Sequence, residues 1–301
     1  LQHYTVIDGR RGAHQITFHL ILAGTGIGIC YNVVVSTVCS WFPDKKGFCS
    51  GCLMMGFGIS TLMLGNVISV LFENPAFGWE KTYIILGIVL AVVLIVAGSI
   101  LRLPSADIQF PAARIKKSVG KEAFEVRDFS TAEMLRSFAF WRAFVFMAFI
   151  TAVGNSVISF ARDLVISVDA TPVLATTLVG VLSVCNGIGR ILTGAVYDAL
   201  GRRTTMIAAN ILTIVAAGIT LLAVQMHSLP VCIIGLCLTG LSYGSCPTLT
   251  SAFTATFYGQ KYFSVNYSLT NFNLIVAAFI ANFSNSLLAS SGGYTSPFAM
   301  L

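Results

Sequence analysis

Apolar residues in this chain come in long unbroken runs, and eight such runs follow one another along it. They cover residues 16–38, 48–72, 83–101, 141–161, 172–197, 204–224, 230–253 and 266–289. A helix rising about 1.5 Å per residue needs about 20 residues to cross the hydrocarbon core of a bilayer. Continuous runs, without the apolar–polar alternation of a barrel wall, specify helices, because a helix satisfies its backbone hydrogen bonds within itself. The expected fold class is an all-α membrane protein. Composition agrees, since 56% of the 301 residues are hydrophobic and only 10% are charged, against about 25% charged in a soluble domain. That leaves too few charges for a water-facing surface. A soluble enzyme, a nucleic-acid-binding module and a disordered chain are excluded.

The connections between runs alternate in charge. The first, third, fifth and seventh hold Lys45 and Lys46; Arg102, Arg114, Lys116, Lys117, Lys121, Arg127, Arg136 and nearby Arg142; Arg202 and Arg203; and Lys261. The opposite side has only Arg10, Arg11, Lys81 and Arg162, and Arg190 falls within a run. Basic loops face the cytoplasm, so the heavier side is cytoplasmic in a multi-pass protein of the cell membrane. The net charge of +6 then reports topology, and no nucleic-acid partner is expected.

The segment 102–140 separates three runs from five, which divides the chain into 1–101, a cytoplasmic central loop 102–140, and 141–301. Its mixed charge, with Pro104 and Pro111, reads as a polar tether carrying a short surface helix at 131–136. A regulatory or lipid-binding patch is the alternative. Cys30, Cys39, Cys185, Cys232, Cys237 and Cys246 lie in or beside apolar runs, as small buried hydrophobes do. Cys49 and Cys52 lack a second pair, and His3, His14, His19 and His227 lack metal-ligand spacing. Neither metal nor cofactor is expected. Gly24-x-Gly26-x-Gly28 has no strand before it, so it is no dinucleotide loop. Its glycines, like Gly47 and Gly51, are expected to let helices approach closely.

Two features carry function. Gly194-Ala-Val-Tyr-Asp198-Ala-Leu-Gly201-Arg202-Arg203 lies between two runs on the basic side. Gly201 permits a tight turn, and the arginines hold the loop at the surface. Asp198 can accept from a neighbouring helix N-terminus or an arginine, an interaction that two conformations make and break. A plain charged turn is the alternative. The second feature is Arg190, since an arginine mid-span costs about 2.5–3.5 kcal/mol on insertion scales. It must face a wet cavity, where it would bind an anionic substrate, or snorkel to the surface or pair with Asp198.

The ten-residue stretch resembles the cytoplasmic loop motif of the major facilitator superfamily, in the copy between helices eight and nine. Gly24-Thr-Gly-Ile-Gly-Ile-Cys-Tyr31-Asn32, Trp41-Phe-Pro-Asp-Lys-Lys-Gly47, and Tyr258-Gly-Gln-Lys261 with Asn266-Tyr267 are similar to the oxalate/formate antiporter-like branch, to which monocarboxylate porters are related. The resemblance implies an incomplete facilitator-type bundle holding helices four to eleven of twelve. Residues 1–101 would be the remnant of one six-helix bundle and 141–301 most of the other, around a central cavity. The chain then reads as a fragment, opening at Leu1 without an initiating Met, with 296–298 starting the twelfth helix.

Within that resemblance, Arg190 takes the place of the arginine that holds a carboxylate substrate. Tyr31 and Tyr243 look like cavity tyrosines that orient it, although packing would also explain them. The Gly/Pro stretch beside Tyr243 offers a place where its helix can break. Asn155, Ser156 and Ser159 are further polar candidates. A second cation is implied at residue 274, which is Leu274 here. Asn271, Asn282 and Asn285 share a helical stripe beside it, either as a cavity wall or as interhelical hydrogen-bonders. With one counter-charge the expected substrate is a small organic monoanion, lactate-like or formate-like, rather than oxalate. The expected function is secondary transport by alternating access, alone or with a proton or counter-anion. A transporter-fold sensor or inactive remnant is the alternative. A membrane enzyme would need convergent catalytic groups that the runs lack.

Overall fold

The computed structural model describes residues 9–43, 45–74, 77–105 and 128–291. The expected start of a further span at 296–298, most of the central loop and His3 lie outside the described residues. Ten helices form among the described residues: α1 Gly9–Ser40, α2 Lys46–Glu73, α3 Gly78–Ile100, α4 Thr131–Arg136, α5 Phe138–Ile166, α6 Pro172–Leu200, α7 Arg202–Gln225, α8 Leu229–Phe257, α9 Phe263–Thr270 and α10 Asn273–Ser291. Among the described residues seven stretches of 20 to 29 residues are apolar enough to cross a membrane. α2 has 28 residues and carries charge only at Lys46 and Glu73, its two ends.

Local chemistry sets the helix ends. Thr171 caps α6 through its hydroxyl, which accepts the Leu174 amide at 3.4 Å, and Pro172 opens the helix. Gly201, at φ +79°, makes the turn into α7, a conformation that favours glycine. α8 runs unbroken through Pro247. The run 266–289 lies within one candidate span, Phe263–Ser290, wound as two helices, α9 and α10, parted at Asn271 and Phe272. The buried Asn273 amide donates to the Thr250 hydroxyl at 3.4 Å. The Leu274 and Ile275 amides turn to the carbonyls three residues back, each at 3.0 Å, a tighter winding than an α-helix allows.

α8 is the central post, packed against α5, α6 and α7, while α2 lies on the other flank of α6. Val157, Leu164, Leu178, Leu182 and Leu236 fill the space among α5, α6 and α8. Lipid tails are as apolar as leucine, so contact density and close backbone approach hold such helices together. Glycines supply the approach. A β-carbon on Gly51 would meet the Arg190 carbonyl, one on Gly194 the Gly47 carbonyl, and one on Gly244 the Asn186 carbonyl. Gly47 and Gly51 thus serve as expected. Gly24, Gly26 and Gly28 do not, since none has a neighbour within 4 Å of its added β-carbon among the described residues.

Gly244→Ala therefore sets a methyl against the backbone of α6, where no flexible side chain can yield. Overpacking of this kind costs about 1–3 kcal/mol. The expected result is a lower thermal midpoint in detergent, with Gly218→Ala, which meets nothing within 4 Å, as the unaffected control. Equal midpoints would remove Gly244 from the packing account.

The expected short helix is present as α4. Ser130 and Glu133 form a reciprocal capping box at its start, the arrangement that satisfies two orphan amides. The tether reading fails for this stretch, however. Met134 is fully buried, in one cluster with Phe140, Met147, Phe253 and Tyr258.

Candidate functional site

Arg190 sits ten residues before the end of the 29-residue α6, well inside the span. Its Nε donates to the Asn186 Oδ1 one turn earlier at 3.1 Å, and its Nη1 to the Met54 carbonyl of α2 at 2.6 Å. Both acceptors are neutral. The guanidinium also lies within electrostatic reach of three phenols, Tyr31 of α1, Tyr243 of α8 and Tyr267 of α9. The Tyr31 and Tyr267 hydroxyls share a hydrogen bond of 2.6 Å, with their rings stacked at 5.9 Å. Asn271, at the end of α9, lies near the Tyr267 hydroxyl, and Phe263 stacks on the same ring at 5.2 Å. Tyr243 packs its ring against Gly154 of α5, the one residue type that leaves it room.

The result is one half-buried cation among hydroxyl and amide groups from α1, α6, α8 and α9. A carboxylate is a stronger partner for guanidinium than an amide or peptide oxygen, and can take two parallel N–H bonds from it. At each of those two bonds an arriving anion competes against a neutral acceptor. A cleft of about 400 Å³ reaches Tyr31 from between α1, α2 and α3. Ile27, Val34, Leu53, Leu90 and Leu94 line it, so it offers an anion nothing.

Nearer the basic face, Asp198 closes α6 onto α2. Its two carboxylate oxygens accept the Gly47 amide at 3.0 Å and the Phe48 amide at 2.7 Å. That is the helix N-terminus alternative, realised at the positive end of the α2 dipole. Arg202 lies over Phe257 at 4.7 Å and Phe253 at 5.9 Å, a cation–π contact that compensates a positive charge at the start of α7. Arg203 is exposed. Tyr197, within the same stretch, shares a 2.7 Å bond with Thr256.

A model of the major facilitator superfamily matches residues 15–282. The chain belongs to the major facilitator superfamily. An oxalate:formate antiporter from Oxalobacter formigenes is 30% identical over 190 residues, 62% of this chain and 42% of that protein. A transporter of the superfamily from Escherichia coli (strain K12) is 25% identical over 254 residues, 83% of this chain and 59% of that protein. Monocarboxylate transporter 12 of Rattus norvegicus is 36% identical over 67 residues, 22% of this chain and 13% of that protein. The chain thus spans about half the length of the first two relatives. It is a multi-pass membrane protein of a transporter family.

In this facilitator-superfamily chain Arg190 lies within electrostatic reach of Tyr31 and Tyr243, and Asn271 lies near Tyr267. Asn271 precedes the α9–α10 turn, and Asn282 and Asn285 follow it on α10. Asn285 accepts a bond from Ser159 at 3.0 Å, which is the interhelical alternative. Ser156 turns back to the Ala152 carbonyl of its own helix. Tyr267 and Asn186 are site residues that sequence reasoning missed. Asn186 lies four residues before Arg190, the helical spacing that puts two side chains on one face. Tyr267 stood beside Asn266 in a stretch read only for resemblance.

Proposed function

We propose that the full-length protein is a secondary transporter that moves a small organic monocarboxylate, such as lactate or formate, across the cell membrane by alternating access. The carrying observation is Arg190, bonded mid-span to the Asn186 and Met54 oxygens and within electrostatic reach of three phenols. Arg190 takes the carboxylate, and Tyr31, Tyr243 and Tyr267 donate hydroxyls to orient it, with Asn271 holding Tyr267. Gly194, Asp198, Gly201, Arg202 and Arg203 form the gate on the basic face, where α6 meets α2. A counter-anion or a proton completes the cycle. The site is asked for no covalent step.

A second counter-charge is what a dianion would need, and residue 274 supplies none. Leu274 is 48% exposed and lies beyond the α9–α10 break. The test is uptake of labelled formate, lactate and oxalate into proteoliposomes holding the full-length protein. A missing buried charge pair is worth more than a factor of ten, so oxalate is expected to fall at least about tenfold below the best monocarboxylate in kcat/KM. Oxalate moving as well as either would overturn the monoanion reading. No movement of any of the three would overturn the carboxylate reading.

A further inference from the structure

We propose that residues 128–136, the far end of the segment joining α3 to α5, are a latch that positions Tyr267 in the anion site, with Asp128 and Asn266 as its positioning residues. The importance of Tyr267 rests on the function proposed above; the latch itself rests on separate geometry.

The turn between α8 and α9 presents backbone amides that need acceptors. Asp128 supplies one for two of them, its Oδ1 accepting from Gln260 at 2.9 Å and Lys261 at 3.1 Å. The Phe129 amide donates to the Tyr258 carbonyl at 3.0 Å. Gly259 between them is at φ +82°, and a β-carbon there would meet the Asp128 carboxylate. The Phe129 ring stacks on Phe257 at 6.4 Å and meets Tyr258 edge-on at 5.6 Å. The loop end thus grips the turn by backbone, carboxylate and ring together.

Its second grip is on α9 itself. Asn266 is fully buried, and both ends of its amide go to the loop. Its Nδ2 donates to the Phe129 carbonyl at 3.1 Å, and its Oδ1 accepts from the Thr131 hydroxyl at 2.9 Å. The next residue is Tyr267, whose hydroxyl meets Tyr31. α9 has eight residues and passes into α10 through a tight turn whose amides still bond back to it. Its side-chain holds are the latch, Tyr31 through Tyr267, and α8, where the Thr254 hydroxyl donates to Thr270 at 3.3 Å. Asp128 is also within electrostatic reach of Lys46 in α2. One end of the central loop therefore touches the α8–α9 turn and α9.

The test is amide exchange by mass spectrometry, with uptake kinetics, on the full-length protein. Asp128→Ala is expected to speed exchange at least about tenfold at residues 260 and 261, and also across α9. Carboxylate KM is expected to rise about three- to tenfold with maximal rate within about twofold, since positioning and not turnover is lost. Asp128→Asn keeps an acceptor oxygen and is expected to restore most of both. Wild-type exchange in Asp128→Ala would overturn the latch. Faster exchange confined to the turn, or an unchanged KM, would overturn the positioning role. The function reading fails by other results, in substrate profile and at Arg190, and the exchange measurements stand apart from these.

Discussion

Arg190→Ala in the full-length protein is expected to lower carboxylate uptake about 100-fold or more, while leaving the amount of folded protein in the membrane close to wild type. The first half follows from charge. Truncating one partner of a desolvated, hydrogen-bonded charge pair costs about 2–5 kcal/mol, and about 2.7 kcal/mol is already a hundredfold. The second half follows from two opposed terms. Removing the guanidinium leaves the Asn186 and Met54 oxygens short of a donor, about 1–3 kcal/mol for each group left unsatisfied. It also removes a mid-span charge that costs about 2.5–3.5 kcal/mol to insert. These come close to cancelling.

Arg190→Lys separates charge from geometry. A lysine keeps the positive charge but presents a point where the guanidinium presents a fork, so intermediate uptake with a raised KM is expected. A purely structural arginine, clamping α6 to α2, would give the reverse pattern: a loss of folded protein with unchanged KM and rate in what survives. Uptake kinetics on Arg190→Ala matched for membrane content decide between the two. Unchanged KM and rate would sink the substrate role.

What the sequence disclosed and what it hid divide along physical lines. A run of about 20 apolar residues has one stable solution in lipid, so the spans were legible without any knowledge of their neighbours. An arginine in such a run is an anomaly that announces itself, and Asp198 beside Gly201 is nearly as conspicuous. Events decided between helices were not legible. No glycine or proline marks the α9–α10 break. There the Leu274 and Ile275 amides bond three residues back, and nothing local in the sequence records it. Pro247 errs the other way, a strong local signal carried within a continuous helix because neighbours hold both sides. Gly47 and Gly24 look alike in sequence, yet only Gly47 has a helix against it. Tyr267 needed Tyr31, more than 230 residues away in the chain, to become visible as a site residue.

Asp198→Ala is expected to open the basic face. Two backbone amides at the start of α2 now end on one carboxylate, at 3.0 and 2.7 Å, and hydrogen bonds to a charged group contribute about 1.5–3 kcal/mol each. The α2 dipole adds to both. The contact is all-or-none, because the Gly47 and Gly194 backbones touch beneath it and no other side chain fits between them. Losing about 3–6 kcal/mol of preference for the closed arrangement spans the 5.5 kcal/mol or so that reverses a 99:1 equilibrium. Cys49, buried in the first turn of α2, reports the change. Its labelling by a membrane-impermeant maleimide, followed by mass spectrometry, is expected to quicken at least about tenfold, a conservative share of that shift. Turnover falls while KM moves little, since Arg190 and its phenols are not touched. Asp198→Asn keeps an oxygen acceptor without the charge, so it falls between. If Asp198→Ala labels and transports like wild type, the carboxylate is only a cap on α2 and the gate lies elsewhere.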